Sequence, residues 1–272
     1  MHPSSNPPSA THLAPEACKA AKAAGKRLSI LTAYDYPTAR LIDESPVDWI
    51  LVGDSLGMVV LGMPDTTGVT MEHMLHHVEA VRRGAQRCPI IADLPAGSCA
   101  TPNLAAQNAH RLIQAGAHAV KIEGGAEMIP HVASIRRTGI PVIGHIGMLP
   151  QRVREEGGYR IKGKTPDDSA RLLNDATQLA EAGISAVVLE LVTAETTASI
   201  TRSLPIPTIG IGSGAACDGQ VLVFHDLVGS FPWFRPKFAQ PEADVTPAIR
   251  QALTAFHQRT MRGNDPATGT QA

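Results

Sequence analysis

Short apolar runs alternate with amphipathic segments along most of this chain. The apolar runs are rich in Ile, Leu and Val and predict eight strands, at residues 28–33, 49–52, 89–93, 119–125, 140–144, 186–190, 207–211 and 220–224. Helical periodicity predicts helices at residues 16–26, 70–83, 103–114, 166–182 and 245–262. Thr70 and Thr165 are typical N-cap residues for two of these helices, and Gly183 is a typical C-cap.

The order of these elements indicates the fold class. Strands separated by helices favour parallel βα units, and eight such units in 272 residues favour an α/β protein closed into a (β/α)8 TIM barrel. A doubly wound open sheet is the alternative. The connection at residues 212–219 is too short for an ordinary helix, which makes the last unit irregular. We expect a disordered leader at residues 1–15, a single barrel domain at 16–262 and a flexible tail at 263–272.

Composition narrows the classes of function. The formal net charge is −1 and aromatic residues make up 4% of the chain, which argues against a nucleic-acid partner. No apolar run reaches the roughly 18 residues that a membrane-spanning helix needs, and residues 1–15 contain no signal-peptide core. The four cysteines are widely spaced, fit no zinc pattern and are expected to stay reduced, as in a cytoplasmic protein.

Two charged residues lie inside the fourth predicted strand. Lys121 and Glu123 are two positions apart, so their side chains point to the same face, while Val120 and Ile122 point to the other. Burying an ammonium and a carboxylate is unfavourable unless each is paired or binds something. The pair is therefore either a structural ion pair in a barrel core or part of a site for a metal and an anionic substrate.

Polar residues also mark the carboxyl ends of the other strands, where the active site of a (β/α)8 barrel lies. Any one of them could be a cap, a core ion pair or a loop carboxylate. Together they favour a functional site, which would consist of Asp54, Ser55, Asp93, Lys121, Glu123, His145 and Glu190.

The residue types in this set point to metal-assisted acid–base chemistry. Asp54, Asp93 and Glu123 offer hard oxygen ligands from neighbouring strands, which suit Mg²⁺ better than zinc or copper. A bound Mg²⁺ could chelate a 2-oxo acid and acidify the carbon next to its keto group. Lys121 would then neutralise the substrate carboxylate or the enolate oxygen, and Glu190 is the candidate general base.

Three weaker patterns each have a plain alternative. The glycine-rich stretch at 210–214 lacks the third glycine of a dinucleotide-binding loop, so a turn beside the site is favoured. His73 and His77 are spaced for zinc on a helix, but exposed histidines are the favoured interpretation. The polar segment 151–164 could be an active-site lid or a disordered surface loop.

Several motifs, in order along the chain, resemble the ketopantoate hydroxymethyltransferase family. The similarity runs from about residue 18 to residue 243. It rests on Val52-Gly-Asp-Ser-Leu-Gly57, Ala92-Asp-Leu-Pro95, Val120-Lys-Ile-Glu-Gly-Gly125, Gly144-His-Ile-Gly147 with Pro150-Gln151, Gly157-Gly-Tyr-Arg160, Gly210-Ile-Gly212, Asp218-Gly-Gln-Val-Leu-Val223 and Arg235-Pro-Lys-Phe-Ala239.

This resemblance implies a barrel of the phosphoenolpyruvate/pyruvate type in a cytoplasmic, usually homodecameric enzyme with one Mg²⁺ per subunit. The implied reaction transfers a one-carbon unit from 5,10-methylenetetrahydrofolate to 3-methyl-2-oxobutanoate, a step of pantothenate biosynthesis. The implied roles are Mg²⁺ ligation by Asp54, Asp93 and Glu123, contacts to the oxo acid from Asp54, Ser55, Asp93 and Lys121, proton acceptance by Glu190 and a hydrogen bond from His145 to the substrate.

The chain departs from the family pattern at Ala96–Cys99, at Met148-Leu149 and at Leu191–Thr193. These departures lie in the expected pocket walls and remove none of the proposed ligands. Two other hypotheses remain beside the transferase. One is a carbon–carbon lyase or mutase of the same barrel type that uses no folate, and the other is a non-enzymatic barrel that serves as a binding module.

Overall fold

A computed structural model describes residues 10–262 of the chain, and in it eight parallel strands close into a barrel in sequence order. The strands are Leu28–Thr32 (β1), Trp49–Val52 (β2), Ile90–Asp93 (β3), Ala119–Glu123 (β4), Val142–Gly147 (β5), Ala186–Glu190 (β6), Thr208–Ile211 (β7) and Gly219–Leu222 (β8). Each strand pairs in parallel with its neighbours in sequence, and β8 pairs with β1. The predicted TIM barrel is therefore confirmed.

The helices fall into two compact units, one up to residue 223 and one from residue 224. The first unit holds Pro15–Ala23 (α1), Tyr36–Asp43 (α2), Leu56–Val59 (α3), Met71–Gly84 (α4), Pro102–Ala115 (α5), Ile129–Arg136 (α6), Pro166–Glu181 (α7) and Ala194–Ser203 (α8). The second unit holds Phe224–Val228 (α9) and Thr246–Met261 (α10). The assignment of residues 16–262 to one domain stays a prediction.

Local sequence signals start and stop the longer helices. The Thr70 hydroxyl accepts a hydrogen bond from His73 N, and the Thr165 hydroxyl accepts one from Asp168 N, as expected of N-caps. Gly183 adopts a left-handed conformation just after α7, one residue beyond the C-cap position that Ala182 takes. These residues set the first residue of α4 and both ends of α7.

The observed elements differ from the sequence prediction in a few places. Strand β5 starts and ends later than predicted, so that His145 lies inside the strand and not after it. Helices α2, α6 and α8 were not predicted, because eight to ten residues give little periodicity to read. The short connection between β7 and β8 contains no helix, as expected.

Part of the segment predicted as a leader is folded. Ala10–Leu13 forms a 3-10 helix, and Leu13 is fully buried in the barrel core, so residues 10–15 do not belong to a disordered leader. The rest of the predicted leader and the predicted tail at 263–272 lie outside the described residues.

Side chains that point into the barrel change from apolar to charged along the strand direction. The lower interior is packed by apolar side chains, among them Ile30, Leu51, Ile91, Ile143 and Val188. Alternate residues of a strand share a face, so the next inward positions lie near the carboxyl ends of the strands. A small cavity lined by these apolar side chains lies between the apolar layer and Lys121.

Two further expectations concern the chain's environment. Among residues 10–262, no helix has the length and apolar character that crossing a bilayer requires. The cysteines Cys18, Cys88, Cys99 and Cys217 all carry free thiols, as the sequence predicted.

Candidate active site

Five of the predicted site residues point into the barrel at the carboxyl ends of neighbouring strands. Asp93 ends β3, Lys121 and Glu123 lie in β4, His145 lies in β5 and Glu190 ends β6. The sheet register places Asp93 beside Lys121, and Glu123 beside His145. All five are at most 9% exposed. The structure therefore brings together Lys121 and Glu123, which strand alternation predicted to share a face, with three residues predicted at the carboxyl ends of neighbouring strands.

Lys121 occupies the centre of this cluster. Its Nζ lies 3.1 Å from His145 Nδ1, 3.3 Å from Asp93 Oδ1 and 3.5 Å from Glu123 Oε1. Burial lowers the pKa of Lys121, but the surrounding carboxylates outweigh burial and hold that pKa above its usual range. Lys121 is thus a charged ammonium group at neutral pH, in a place that water hardly reaches.

His145 connects two carboxylates. Its Nδ1 lies 3.3 Å from Glu123 Oε1, and its Nε2 lies 3.3 Å from Glu190 Oε2. Burial and the Lys121 ammonium favour a neutral ring, whereas the two carboxylates favour a protonated one. The carboxylates prevail, because one faces each ring nitrogen, and the pKa of His145 is raised to about 9.

The pKa values of the three carboxyl groups proposed as metal ligands are shifted in different directions. Burial, together with the negative charges of Asp93 and Glu123, raises the pKa of Asp54 well above its usual range. Burial also raises the pKa of Asp93, although Lys121 opposes it. For Glu123 the balance reverses, since Lys121 and His145 outweigh burial and lower its pKa to about 2. The same neighbours therefore push the pKa values of these three carboxyl groups in different directions.

The donor set fits a magnesium ion by its chemistry. Asp54, Asp93 and Glu123 offer only oxygen atoms, which Mg²⁺ prefers. Burial and repulsion from Asp93 and Glu123 raise the pKa of Asp54, so ionising this carboxyl is unfavourable unless a cation binds beside it. Asp93 Oδ1 is buried and accepts no hydrogen bond from the described part of the chain.

The ligand set is not preassembled. Within residues 10–262, no three His, Cys, Asp or Glu side chains are gathered closely enough to hold a metal ion. Lys121 and Gln151 instead contact oxygens of these carboxylates, and Gln151 Nε2 donates to Asp54 Oδ2 at 2.8 Å. Metal binding would thus require small movements of side chains that already lie side by side.

Asp54 and Ser55 join the cluster from the turn after β2. The backbone N of Asp54 donates to Asp93 Oδ2 at 3.0 Å, which ties this turn to β3. The Ser55 hydroxyl lies 2.7 Å from the hydroxyl of Tyr34, a buried residue of the turn after β1. The Tyr34 carbonyl in turn lies 2.6 Å from His77 Nδ1 on α4.

The histidines at the predicted zinc spacing have structural contacts. His73 Nδ1 accepts a hydrogen bond from the backbone N of Thr70 and completes a capping box at the start of α4. His77 contacts the Tyr34 carbonyl, and both rings are half-buried. The two histidines are therefore less exposed than the sequence predicted, and each has a structural contact to the backbone.

The backbone around Glu190 is tightly constrained. Leu191 adopts a left-handed conformation with φ 49°, which non-glycine residues rarely do. A Cβ added to Gly147 would lie 2.4 Å from the Glu190 carbonyl oxygen, so β5 can approach β6 here only with glycine. The Ser213 hydroxyl donates to Leu189 O at 2.7 Å and accepts from Val192 N at 3.0 Å. The glycine-rich stretch at 210–214 thus supports the strand end that carries Glu190.

The polar segment after β5 is held at both ends. Near its start, Gln151 reaches the carboxylate cluster, and Arg154 forms an ion pair with Asp65 at 2.8 Å. Near its end, the backbone of Lys162 pairs with Leu191 O and with Thr193 N. These contacts argue against the disordered-loop alternative, and a lid function stays a prediction.

Two residues with site contacts escaped the sequence analysis as site residues. Gln151 was noted only as part of a motif, and Tyr34 was not singled out. Both follow a strand at its carboxyl end, which is the one signal that could have marked them. Their partners depend on the path of the turns, and a single sequence does not reveal that path.

Comparisons with known proteins agree with this geometry. A family model described as ketopantoate hydroxymethyltransferase matches residues 13–268. A protein of Carboxydothermus hydrogenoformans named 3-methyl-2-oxobutanoate hydroxymethyltransferase is 49% identical over 250 residues, which cover 91% of each chain. A protein of Pyrobaculum islandicum with the same name is 51% identical over 238 residues, covering 87% of this chain and 91% of the relative.

Solved structures with the same fold are more distant in sequence. A phosphonopyruvate hydrolase in complex with oxalate and Mg²⁺ has a TM-score of 0.62 at 14% identity, covering 94% of this chain and 91% of that one. A 2,3-dimethylmalate lyase of the PEP mutase/isocitrate lyase superfamily has a TM-score of 0.60 at 17% identity, covering 96% and 90%. At these identities the similarity shows the barrel fold alone.

Proposed function

The chain belongs to the ketopantoate hydroxymethyltransferase family, and we propose that it transfers a hydroxymethyl group from 5,10-methylenetetrahydrofolate to 3-methyl-2-oxobutanoate. The products would be 2-dehydropantoate, a precursor of pantothenate, and tetrahydrofolate. The names of the curated relatives support the oxo acid as acceptor. The observation that carries the chemistry is the buried group of Asp54, Asp93 and Glu123 around Lys121 at the carboxyl end of the barrel.

Asp54, Asp93 and Glu123 would hold one Mg²⁺ per subunit. When bound, the ion would supply Lewis acidity toward the oxygens of the oxo acid and so acidify the C3–H bond next to the keto group. Two observations support this assignment: the three carboxyl groups are buried, and Asp93 Oδ1 accepts no hydrogen bond within residues 10–262.

Glu190 would accept the proton from C3 of the oxo acid. Its carboxylate lies at the carboxyl end of β6, beside His145, which would donate a hydrogen bond to the substrate. A positioned general base contributes about 10²–10⁴-fold to the rate. The Lys121 ammonium would neutralise the substrate carboxylate or the enolate oxygen that develops when the proton leaves.

The transfer balances with one molecule of water. C3 of the oxo acid loses a proton and forms a bond to the methylene carbon of the folate, and water supplies the oxygen of the new hydroxymethyl group. The two folate nitrogens that lose the methylene bridge take up the C3 proton and the water proton. Asp54, Ser55 and Asp93 would hold the oxo acid during these steps, because they line the same end of the barrel.

The activity is tested by mixing the full-length protein with Mg²⁺, 3-methyl-2-oxobutanoate and 5,10-methylenetetrahydrofolate and measuring 2-dehydropantoate by mass spectrometry. We expect product only when both substrates are present, and none when EDTA removes the metal. Absence of product in the complete mixture would contradict the proposal. Product that forms equally well in EDTA would contradict the metal assignment while leaving the transferase activity intact.

Matched variants test the metal ligands. We expect Glu123→Ala and Asp93→Ala to abolish detectable product formation. Glu127→Ala is the control, because it removes an exposed carboxylate a few residues after Glu123, and we expect it to retain wild-type activity. Full activity in the Glu123→Ala, Asp93→Ala double variant would overturn the ligand assignment.

Assembly and location stay predictions that rest on the family resemblance. Light scattering on the purified protein would test the homodecamer, and cell fractionation would test the cytoplasmic location.

A further inference from the structure

Gln151 touches all three chain segments that carry the proposed metal ligands. Its backbone N donates to Glu123 Oε2 at 3.1 Å. Its side-chain Nε2 donates to Asp54 Oδ2 at 2.8 Å and to the backbone O of Leu94 at 2.9 Å. Leu94 directly follows Asp93, so Gln151 joins the turn after β2, the end of β3 and the end of β4.

The chemistry of the side chain suits this position. A primary amide has two N–H donors on one nitrogen, and here both face acceptors, a carboxylate and a carbonyl. A glutamate in the same place would oppose the Asp54 carboxylate, and an apolar residue would leave both acceptors unsatisfied. Because one oxygen of Asp54 and one of Glu123 is engaged, rotation of both carboxylates is restricted.

The backbone holds Gln151 firmly enough for this role. It lies in a short 3-10 helix, Pro150–Arg152, whose first residue has the restricted φ of proline. Met148 and Leu149, which precede this helix, are buried, and Met148 N donates to Glu190 O at 2.8 Å. The position of Gln151 is therefore set from the ends of β5 and β6.

We propose that Gln151 is a positioning residue that orients Asp54 and Glu123 toward a divalent cation. This inference rests on the metal site of the proposed function and adds to it a residue outside the ligand set. Hydrogen-bond partners that orient metal ligands typically contribute 10–100-fold to metal affinity. Gln151 acts through the two carboxylates, so its removal changes the affinity for the metal before it changes any chemical step.

The test measures Mn²⁺ binding to the full-length protein by electron paramagnetic resonance, with Mn²⁺ as the probe for the Mg²⁺ site. Gln151→Met keeps most of the side-chain volume and removes both side-chain donors, whereas Gln151→Ala removes volume and side-chain donors together. Both variants keep the backbone bond to Glu123, so the test reports on the contacts to Asp54 and to Leu94 O. We expect both variants to raise the Kd for Mn²⁺ by about 10–100-fold. The matched control is Arg152→Ala. Arg152 lies in the same 3-10 helix and forms an exposed ion pair with Glu127, and its loss should leave the Kd unchanged.

The two variants separate positioning from packing. Wild-type Mn²⁺ affinity in Gln151→Met, with a loss only in Gln151→Ala, would overturn the proposal, because bulk and not hydrogen bonding would then matter. A thermal melt of the metal-free protein runs beside each titration. A lowered melting temperature with an unchanged Kd in both variants would also overturn the proposal, since it would assign Gln151 a purely structural role.

Failure of the proposed function gives a different result. If wild-type protein binds no Mn²⁺, the metal site itself is wrong, and the inference about Gln151 falls with it. If wild-type protein binds Mn²⁺ and the Gln151 variants bind it equally well, the metal site stands and the inference about Gln151 alone is wrong.

Discussion

Lys121 Nζ lies 3.3 Å from Asp93 Oδ1, and the two residues are also direct neighbours across β3 and β4. Both side chains are at most 6% exposed. Each charge therefore depends on the other, because water contributes little to the stability of either. The first prediction follows from this dependence.

Replacing Lys121 by methionine should destabilise the protein at pH 8, where the carboxylates left behind would have to stay charged or take up protons. Removing one partner of a buried ion pair typically costs about 3–5 kcal/mol. Chemical denaturation measures the free energy of unfolding. Lys26→Met is the control, since it breaks an ion pair in which Lys26 is 57% exposed, and such pairs contribute at most about 1 kcal/mol. Equal losses in the two variants would contradict the prediction.

Tyr34 should act on the substrate through Ser55. The two hydroxyl groups are 2.7 Å apart, and Ser55 is a proposed contact to the oxo acid. Tyr34→Phe removes this hydrogen bond, which is worth about 0.5–1.5 kcal/mol. We expect KM for 3-methyl-2-oxobutanoate to rise by about 3–10-fold with a smaller change in kcat, since about 1.4 kcal/mol corresponds to tenfold in affinity.

Steady-state kinetics provides this measurement. The control is Tyr36→Phe, because Tyr36 is exposed on α2 and its hydroxyl accepts a hydrogen bond from Arg40, away from the site. A KM for Tyr34→Phe that equals the wild-type value would show that Ser55 does not depend on Tyr34.

Stability should fall at acidic pH because of His118. Its Nδ1 accepts a hydrogen bond from Ile90 N at 3.0 Å at the start of β3, which requires a neutral nitrogen. Burial, and then the charge of Arg82, lower the pKa of His118 from 6.5 to about 4. Below pH 6.5 the unfolded chain binds the proton more readily than the folded one, so this stabilisation is complete above about pH 6.5 and is lost as pH falls toward 4.

The variant His118→Asn tests this explanation. An asparagine oxygen can accept the hydrogen bond from Ile90 N and does not titrate, so the free energy of unfolding should vary less between pH 7 and pH 4. The difference has an upper bound of about 3 kcal/mol, reduced by the partial exposure of the ring to water. The exposed His110→Asn serves as control. An unchanged pH profile in His118→Asn would refute the prediction.

Much of the site could be predicted from the sequence because strands alternate. Once residues 119–123 are recognised as a strand, Lys121 and Glu123 must share a face, and Asp93 and Glu190 end strands of the same kind. Parallel strands in a barrel then bring these ends together. No knowledge of loops is needed for these four residues.

His145 and Gln151 show where this reasoning stops. The prediction placed His145 just after β5, whereas the strand continues to Gly147 and brings the ring between Glu123 and Glu190. Glycine is required at the end of this strand, because Gly147 has φ 98° and an added Cβ would lie 2.4 Å from the Glu190 carbonyl oxygen. The path of the chain after Gly147 then decides what Gln151 reaches, and periodicity carries no information about such a turn.

The contact between His145 and Glu190 leads to the central claim, which is that Glu190 removes the C3 proton of the oxo acid. The most direct measurement is exchange of this proton in D₂O, followed by NMR of 3-methyl-2-oxobutanoate with Mg²⁺ and without folate. The proteins compared are the wild type, Glu190→Gln and, as control, Glu195→Gln, whose side chain is exposed on α8. We predict exchange with wild type and Glu195→Gln, and a rate at least about 10²-fold lower with Glu190→Gln. Equal exchange rates in Glu190→Gln and wild type would contradict the claim.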